Sequence, residues 1–218
     1  MDENTNEQGL KRKKYGIFGS FFPPKYDFEA MLVEQAERTL AGMEAFTRWM
    51  NEDTLTSPDA LIQIGREVDL HRYNLEARLL EAFSTPFNRQ DIYTFSRNMD
   101  YILNHAVETA REMHAFGVIP DEPIREMSQS LLHGTRHVLE GTRYLGTDKG
   151  RVEDSIRKGR KHVHAIEDIY ITCMADLFQT NDAMEAMKKR EIYYHLRGGG
   201  KALRMTLYIM HKAVVGLA

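Results

Sequence analysis

The stretch Leu79–Leu103, LLEAFSTPFNRQDIYTFSRNMDYIL, decides the fold. Apolar residues at helical spacing run into it from upstream and stop at Phe83. Thr85-Pro86 then breaks the chain, because proline has no N–H to donate and clashes with the preceding turn of a helix. A new pattern opens at about Arg89, with Ile92, Phe95, Met99, Leu103, Val107 and Met113 recurring every three or four residues. That is the stripe of an amphipathic helix. Gly117 and Pro120 end it at about Phe116. Two long helices joined by so short a link lie antiparallel.

The same grammar extends in both directions. Phe28, Met31, Leu32, Gln35, Ala36, Leu40, Met43, Phe46 and Trp49 predict a first helix over about Asp27–Asn51. Ser57 is the expected N-cap of a second helix, with Pro58 at its first position, running to about Phe83. A fourth helix is expected over about Asp121–Leu145, stopped by Gly146, and a fifth over about Gly150–Phe178. Asn181 is the expected cap of a sixth that nearly reaches the C-terminus. No segment alternates with the period of a strand. The expected class is all-α, an up-down bundle of six helices.

The junction also repeats. Cys173–Tyr193, CMADLFQTNDAMEAMKKREIY, again closes an apolar helix end on a phenylalanine, crosses a polar link and resumes on an acidic residue followed by Ile-Tyr. Asp91-Ile92-Tyr93 is matched by Glu191-Ile192-Tyr193. Two three-helix repeats, about 27–117 and 121–218, fit this pattern, and chance likeness between amphipathic helices is the alternative. Residues 1–20 are expected to form a disordered tail with a basic cluster at Lys11–Lys14.

Composition narrows the function. With 218 residues and a net charge of −3, the chain has no basic footprint for nucleic acid. Its single cysteine, Cys173, excludes an intramolecular disulfide and a cysteine-based zinc site. No apolar run approaches the roughly 20 residues that span a bilayer, and the N-terminus lacks the apolar core of a signal peptide. A cytoplasmic protein is expected; its basic clusters at Lys11–Lys14 and Lys188–Arg190 are read as solvated, with peripheral contact to the inner face of the membrane as the alternative.

Catalytic chemistry is thinly represented. No Ser-His-Asp or Cys-His constellation and no H-E-x-x-H motif occur. His133 and His137 stand four apart, a chelating spacing, without an evident third ligand. His162 and His164 face different ways, and His105 faces away from Asn104. Cys173 falls on an apolar stripe and is expected to be buried and inert. The reading is therefore not an enzyme, with no catalytic residue assigned.

Arg197–Lys201, RGGGK, is the most unusual local feature. A phosphate-binding P-loop needs G-x-x-x-x-G-K-[ST] after a strand, which this is not. Three readings stay open. The glycines let neighbouring helices approach an unbroken helix; or they break it, since each costs about 1 kcal/mol against alanine; or exposed amides with Arg197, Lys201 and Arg204 bind an anion.

Ala82–Leu103 resembles the junction between helices two and three of the PhoU-like phosphate-transport accessory proteins, whose usual pattern is Thr-Pro-Phe-Asp-Arg-Glu-Asp-Ile. Phe21–Phe46 resembles that family's opening helix, and the stretches ADLFQTN and KKREIYYHL, within Ala175–Leu196, resemble its second such junction. The resemblance runs from Phe21 to the C-terminus. It implies a PhoU-like bundle of two three-helix repeats and a regulator of inorganic phosphate transport that binds a membrane transporter, with phosphate or metal as ligand. It also implies Glu/Asp-x-x-x-Asp pairs that hold metal in some members. This chain departs from those pairs at Gly65/Asp69, Asp100/Asn104, Val163/Glu167 and Arg197/Lys201. Asp69, Asp100 and Glu167 remain as candidate ligands for a divalent metal (Mg, Mn, Fe or Zn). A metal-dependent phosphoesterase built on those three acids, and an interaction scaffold that has lost its ligand site, are the alternatives. Homo-oligomerisation is left open.

Overall fold

The computed structural model describes residues 26–52 and 56–216. The expected tail, 1–20, lies outside the described residues. Among them the chain forms helices and no strand: α1 (Phe28–Met50), α2 (Asp59–Glu81), α3 (Arg89–Phe116), α4 (Glu122–Thr142), α5 (Lys149–Leu177) and α6 (Ala183–Val215). The predicted boundaries hold to within a turn, and the differences lie in the caps. Asp182 caps α6 by accepting from the Glu185 N–H at 3.0 Å, one residue after the expected Asn181. Ser57 does not cap α2, which starts after Pro58 with no side-chain cap bond. Helix α4 ends at Thr142, a turn before the expected Leu145. Gly117 and Gly216, at φ 68° and 69°, end α3 and α6 in the left-handed conformation that glycine adopts without a Cβ penalty.

The decisive junction is held by its own side chains. Asn88 Oδ1 accepts from the Gln90 N–H at 2.8 Å and caps α3. Arg89 reaches back to donate to the carbonyls of Leu79 (2.7 Å) and Ala82 (2.6 Å), which the end of α2 leaves without helical partners. Asp91, buried, accepts from Lys212 Nζ at 2.8 and 3.0 Å and so fastens the start of α3 to the end of α6. Lys212 is charged and Asp91 out of water, so this bond is stronger than a neutral one.

The helices α1, α2 and α3 pack on one another, as do α4, α5 and α6, and the two groups meet through α1 against α4 and α3 against α6. Small residues set the closest approaches. Leu103 of α3 fills the place a side chain at Gly42 of α1 would occupy, and Leu203 of α6 does the same at Gly134 of α4. Leu103 and Leu203 are separated by the same 100 positions as Asp91-Ile92-Tyr93 and Glu191-Ile192-Tyr193. A buried pair also joins α1 to α3, with Gln35 Nε2 donating to the Ser96 carbonyl at 2.8 Å and Ser96 Oγ donating back to Gln35 Oε1 at 2.6 Å.

Helix α6 runs unbroken through RGGGK. Its glycines face three different helices: Gly198 lies under the His105 ring of α3, Gly199 against Leu131 of α4, and Gly200 against Ile166 of α5. Of the three open readings, the continuous helix with close neighbours is the one observed. The flexible break is not, and the backbone amides that an anion loop would expose lie within the helix. A Cβ at Gly200 would sit 2.9 Å from Ile166 Cγ2. Gly200→Val is expected to destabilise the bundle by about 1–3 kcal/mol through overpacking, despite valine's better helix propensity. Urea unfolding measures this.

Candidate functional site

Two of the three candidate acids meet, around an arginine. Arg72 of α2 has an almost buried side chain. Its Nε donates to Asp100 Oδ2 of α3 at 3.1 Å, one terminal nitrogen to Asp69 Oδ1 at 3.1 Å, and the other to Glu76 Oε1 at 2.7 Å. Asn104 Nδ2 adds a bond to Asp100 Oδ2 at 3.0 Å. The guanidinium thus occupies the centre of this carboxylate cluster, where a cation would otherwise bind. Glu167 is not brought to it. It stands on α5 and pairs with Arg204 of α6. The three candidate acids do not converge: Asp69 and Asp100 stand on α2 and α3 and Glu167 on α5, which packs on α4 and α6, and each acid is paired with an arginine.

Burial pushes the Asp100 carboxyl up to about 6, with the like charge of Asp69 acting in the same direction and Arg72 against it. A carboxyl that binds its proton more readily folded than unfolded contributes stability below its ordinary value of 3.8, and that contribution is lost as pH rises through about 6.

Two of the three expected anion residues are also engaged. Arg197 stacks on the Tyr170 ring, 4.4 Å from its centroid, and Arg204 is held by Glu167. Lys201 is exposed on the rim of a shallow pocket of about 280 Å³ with Tyr101, His105 and Tyr194.

A different cluster lies where α3 crosses α6, and the sequence reading passed over it. His105, Glu108 and His195 bring three ligand atoms within 4.8 Å of one another. Glu108 Oε2 is 3.5 Å from His105 Nδ1 and 3.3 Å from His195 Nδ1. Glu112 Oε1 is 3.0 Å from His195 Nε2. Both Nδ1 atoms are buried and lack a hydrogen-bond partner. Burial holds the His105 imidazole below its ordinary pKa; Glu108 opposes this, while His195 and Lys201 reinforce it. The sequence signal was His105-x-x-Glu108-x-x-x-Glu112, one face of α3, but the partner histidine comes from 90 residues away.

A second histidine group forms across α4 and α5. The His162 ring stacks against His133 and His137, at centroid distances of 5.4 and 5.7 Å. Burial lowers the pKa of His133 and of His162, with nearby cationic groups adding to it. His137 Nδ1 pairs with Glu140 at 2.8 Å. Cys173 is buried and its thiol is pushed up to about 11 by that burial, which leaves it unreactive at neutral pH.

No protein-family profile matches the chain. Among solved structures, a PhoU-like protein from Shewanella oneidensis MR-1 superposes with a TM-score of 0.65, at 14% identity, over 87% of this chain and 99% of its own. The fold is PhoU-like. A second protein of that organism, described as a PhoU-like phosphate regulatory protein, has a TM-score of 0.60 at 13% identity over 88% of this chain and 99% of its own. The UPF0111 protein YkaA of Bacillus subtilis (strain 168) is 23% identical over 175 residues, 78% of this chain and 85% of the relative. The PhoU-like fold therefore places the sequence's candidate acids on long helices, where two arginines now bind them.

Arg72→Met is expected to cost about 3–5 kcal/mol at neutral pH by stranding the buried Asp100 charge. The loss shrinks as pH falls toward about 6, because Asp100 without Arg72 takes up its proton at a higher pH than in the native protein, and it levels off below that. Urea unfolding across that range measures both effects.

Proposed function

We propose that this protein is a non-enzymatic accessory and regulatory protein of inorganic phosphate transport, acting by docking on the cytoplasmic side of a membrane transporter. The observation that carries this is the PhoU-like fold over 88% of the chain, shared with a neighbour described as a phosphate regulatory protein. No helix among the described residues is long and apolar enough to cross a membrane. Apolar side chains stand outside the core at both junctions. Leu80 at the end of α2 and Phe83 just beyond it are 84% and 83% exposed, and Phe178 after α5 and Met184 and Met187 at the start of α6 are exposed. Exposed apolar groups of this kind are available to a docking partner.

A second reading is favoured by the arginine-bound acids: an interaction scaffold that keeps the fold and has given up the acid-based ligand site. It differs from the first only in its response to phosphate. A phosphoesterase built on Asp69, Asp100 and Glu167 draws no support from acids already held by Arg72 and Arg204.

The chain is expected to recover an inorganic phosphate transporter from native membranes, with a yield that changes with phosphate. Recovery indifferent to phosphate favours the scaffold, and no transporter removes both readings. If α6 supplies the phosphate contact, Arg197→Ala with Lys201→Ala weakens phosphate binding measured by calorimetry. Unchanged affinity assigns that contact elsewhere.

A further inference from the structure

We propose that His105, Glu108 and His195 form a binding site for one divalent late transition-metal ion of the Zn²⁺ type, at the crossing of α3 and α6. Three observations carry it. The first is donor chemistry. Two imidazoles and one carboxylate make a nitrogen-rich set that suits such ions, whereas Mg²⁺ and Ca²⁺ take oxygen.

The second is spacing. Ligands about 2.0–2.2 Å from a tetrahedral ion stand about 3.4 Å from one another. Glu108 Oε2 lies 3.5 Å from one imidazole Nδ1 and 3.3 Å from the other. These separations match the edges of a coordination tetrahedron and are long for charge-assisted hydrogen bonds. Both Nδ1 atoms are buried without a hydrogen-bond partner, which an ion between them would remedy.

The third is the support around the ligands. A histidine that binds metal through one nitrogen commonly donates its other N–H to a carboxylate, which fixes its tautomer. Glu112 Oε1 stands 3.0 Å from His195 Nε2, in position for that role. Gly198 provides the room: a Cβ there would lie 2.6 Å from the His105 ring. The site is reachable, since the Glu108 side chain is half exposed and His105 lines the pocket beside Lys201. Three protein ligands leave a fourth position to solvent, the arrangement of an open rather than a closed zinc site.

A protonated His195 between Glu108 and Glu112 would need no metal, but it leaves His105 Nδ1 without a partner. The proposal is independent of the transport reading and of its acids. The test is a Zn²⁺ titration of the full chain against a chromophoric chelator, with Mg²⁺ as a second probe and circular dichroism to follow folding. One equivalent of Zn²⁺ is expected to bind in the presence of excess Mg²⁺. His195→Ala and His105→Ala each lower the Zn²⁺ affinity about 100-fold or more, and Glu112→Gln lowers it about 10- to 100-fold. Asp69→Asn and Glu167→Gln leave it unchanged. If a histidine variant does not fold, Glu108→Gln at its half-exposed position gives the same reading. The proposal is overturned if Zn²⁺ does not bind stoichiometrically, if it binds equally to the variants of His105, His195 and Glu108, or if the Asp69 and Glu167 variants are the ones that lose it.

Discussion

The close approach of three helices to Gly198, Gly199 and Gly200 is the constraint on which the rest of the bundle depends. Helix α6 is the one element in contact with α3, α4 and α5 together. At this level it has no side chains to hold the others away. Interiors pack at crystal-like density, so a volume removed from one helix must be filled by its neighbours. Here the fillers are the His105 ring, Leu131 and Ile166. The helix pays a propensity cost of about 1 kcal/mol per glycine. Contacts with three partners, and the Asp91–Lys212 bond at its far end, offset that cost. The same vacancy admits an imidazole next to His195, so the packing solution and the proposed metal site share one cause.

Much of the fold was legible because its signals are local. The break at Thr85-Pro86 and the glycine stop at Gly117 are each read within one turn of chain, and the apolar stripe of α3 within a single helix. The misread caps have equally local causes. Asn181 and Asp182 are both able caps, and which one accepts from the backbone depends on where the helix begins. Ser57 lost its role because α2 starts one residue later, with Pro58 outside it. The repeated spacing of Leu103 and Leu203 gained meaning only when each was seen to fill a glycine notch on the first helix of its own group.

The site was less legible, because charge partners are tertiary. Asp69, Asp100 and Glu167 look free on paper. Arg72 lies three residues from Asp69, but nothing local shows that it also reaches Asp100, 28 residues on. Arg204 meets Glu167 only because α5 packs on α6. Each three-helix group therefore carries an arginine–carboxylate bridge between its second and third helices, with the arginine on the second helix in one and on the third in the other. The Arg72–Asp100 bridge is costly to break from one side, since the partner is left charged and poorly solvated, whereas the part-exposed Arg204–Glu167 bridge contributes little. His105 and His195 were missed for the opposite reason. Each is unremarkable in its own helix, and only the antiparallel crossing of α3 and α6 brings them to one carboxylate.

The central claim is that arginines hold the candidate acids of this PhoU-like bundle and that the proposed metal site lies instead at the α3–α6 crossing. Anomalous diffraction from crystals soaked in Zn²⁺ tests it most directly. The account predicts one strong peak between His105, Glu108 and His195, and none at Asp69, Asp100 or Glu167. Peaks at those acids, with Arg72 or Arg204 displaced and the histidine cluster empty, would contradict it.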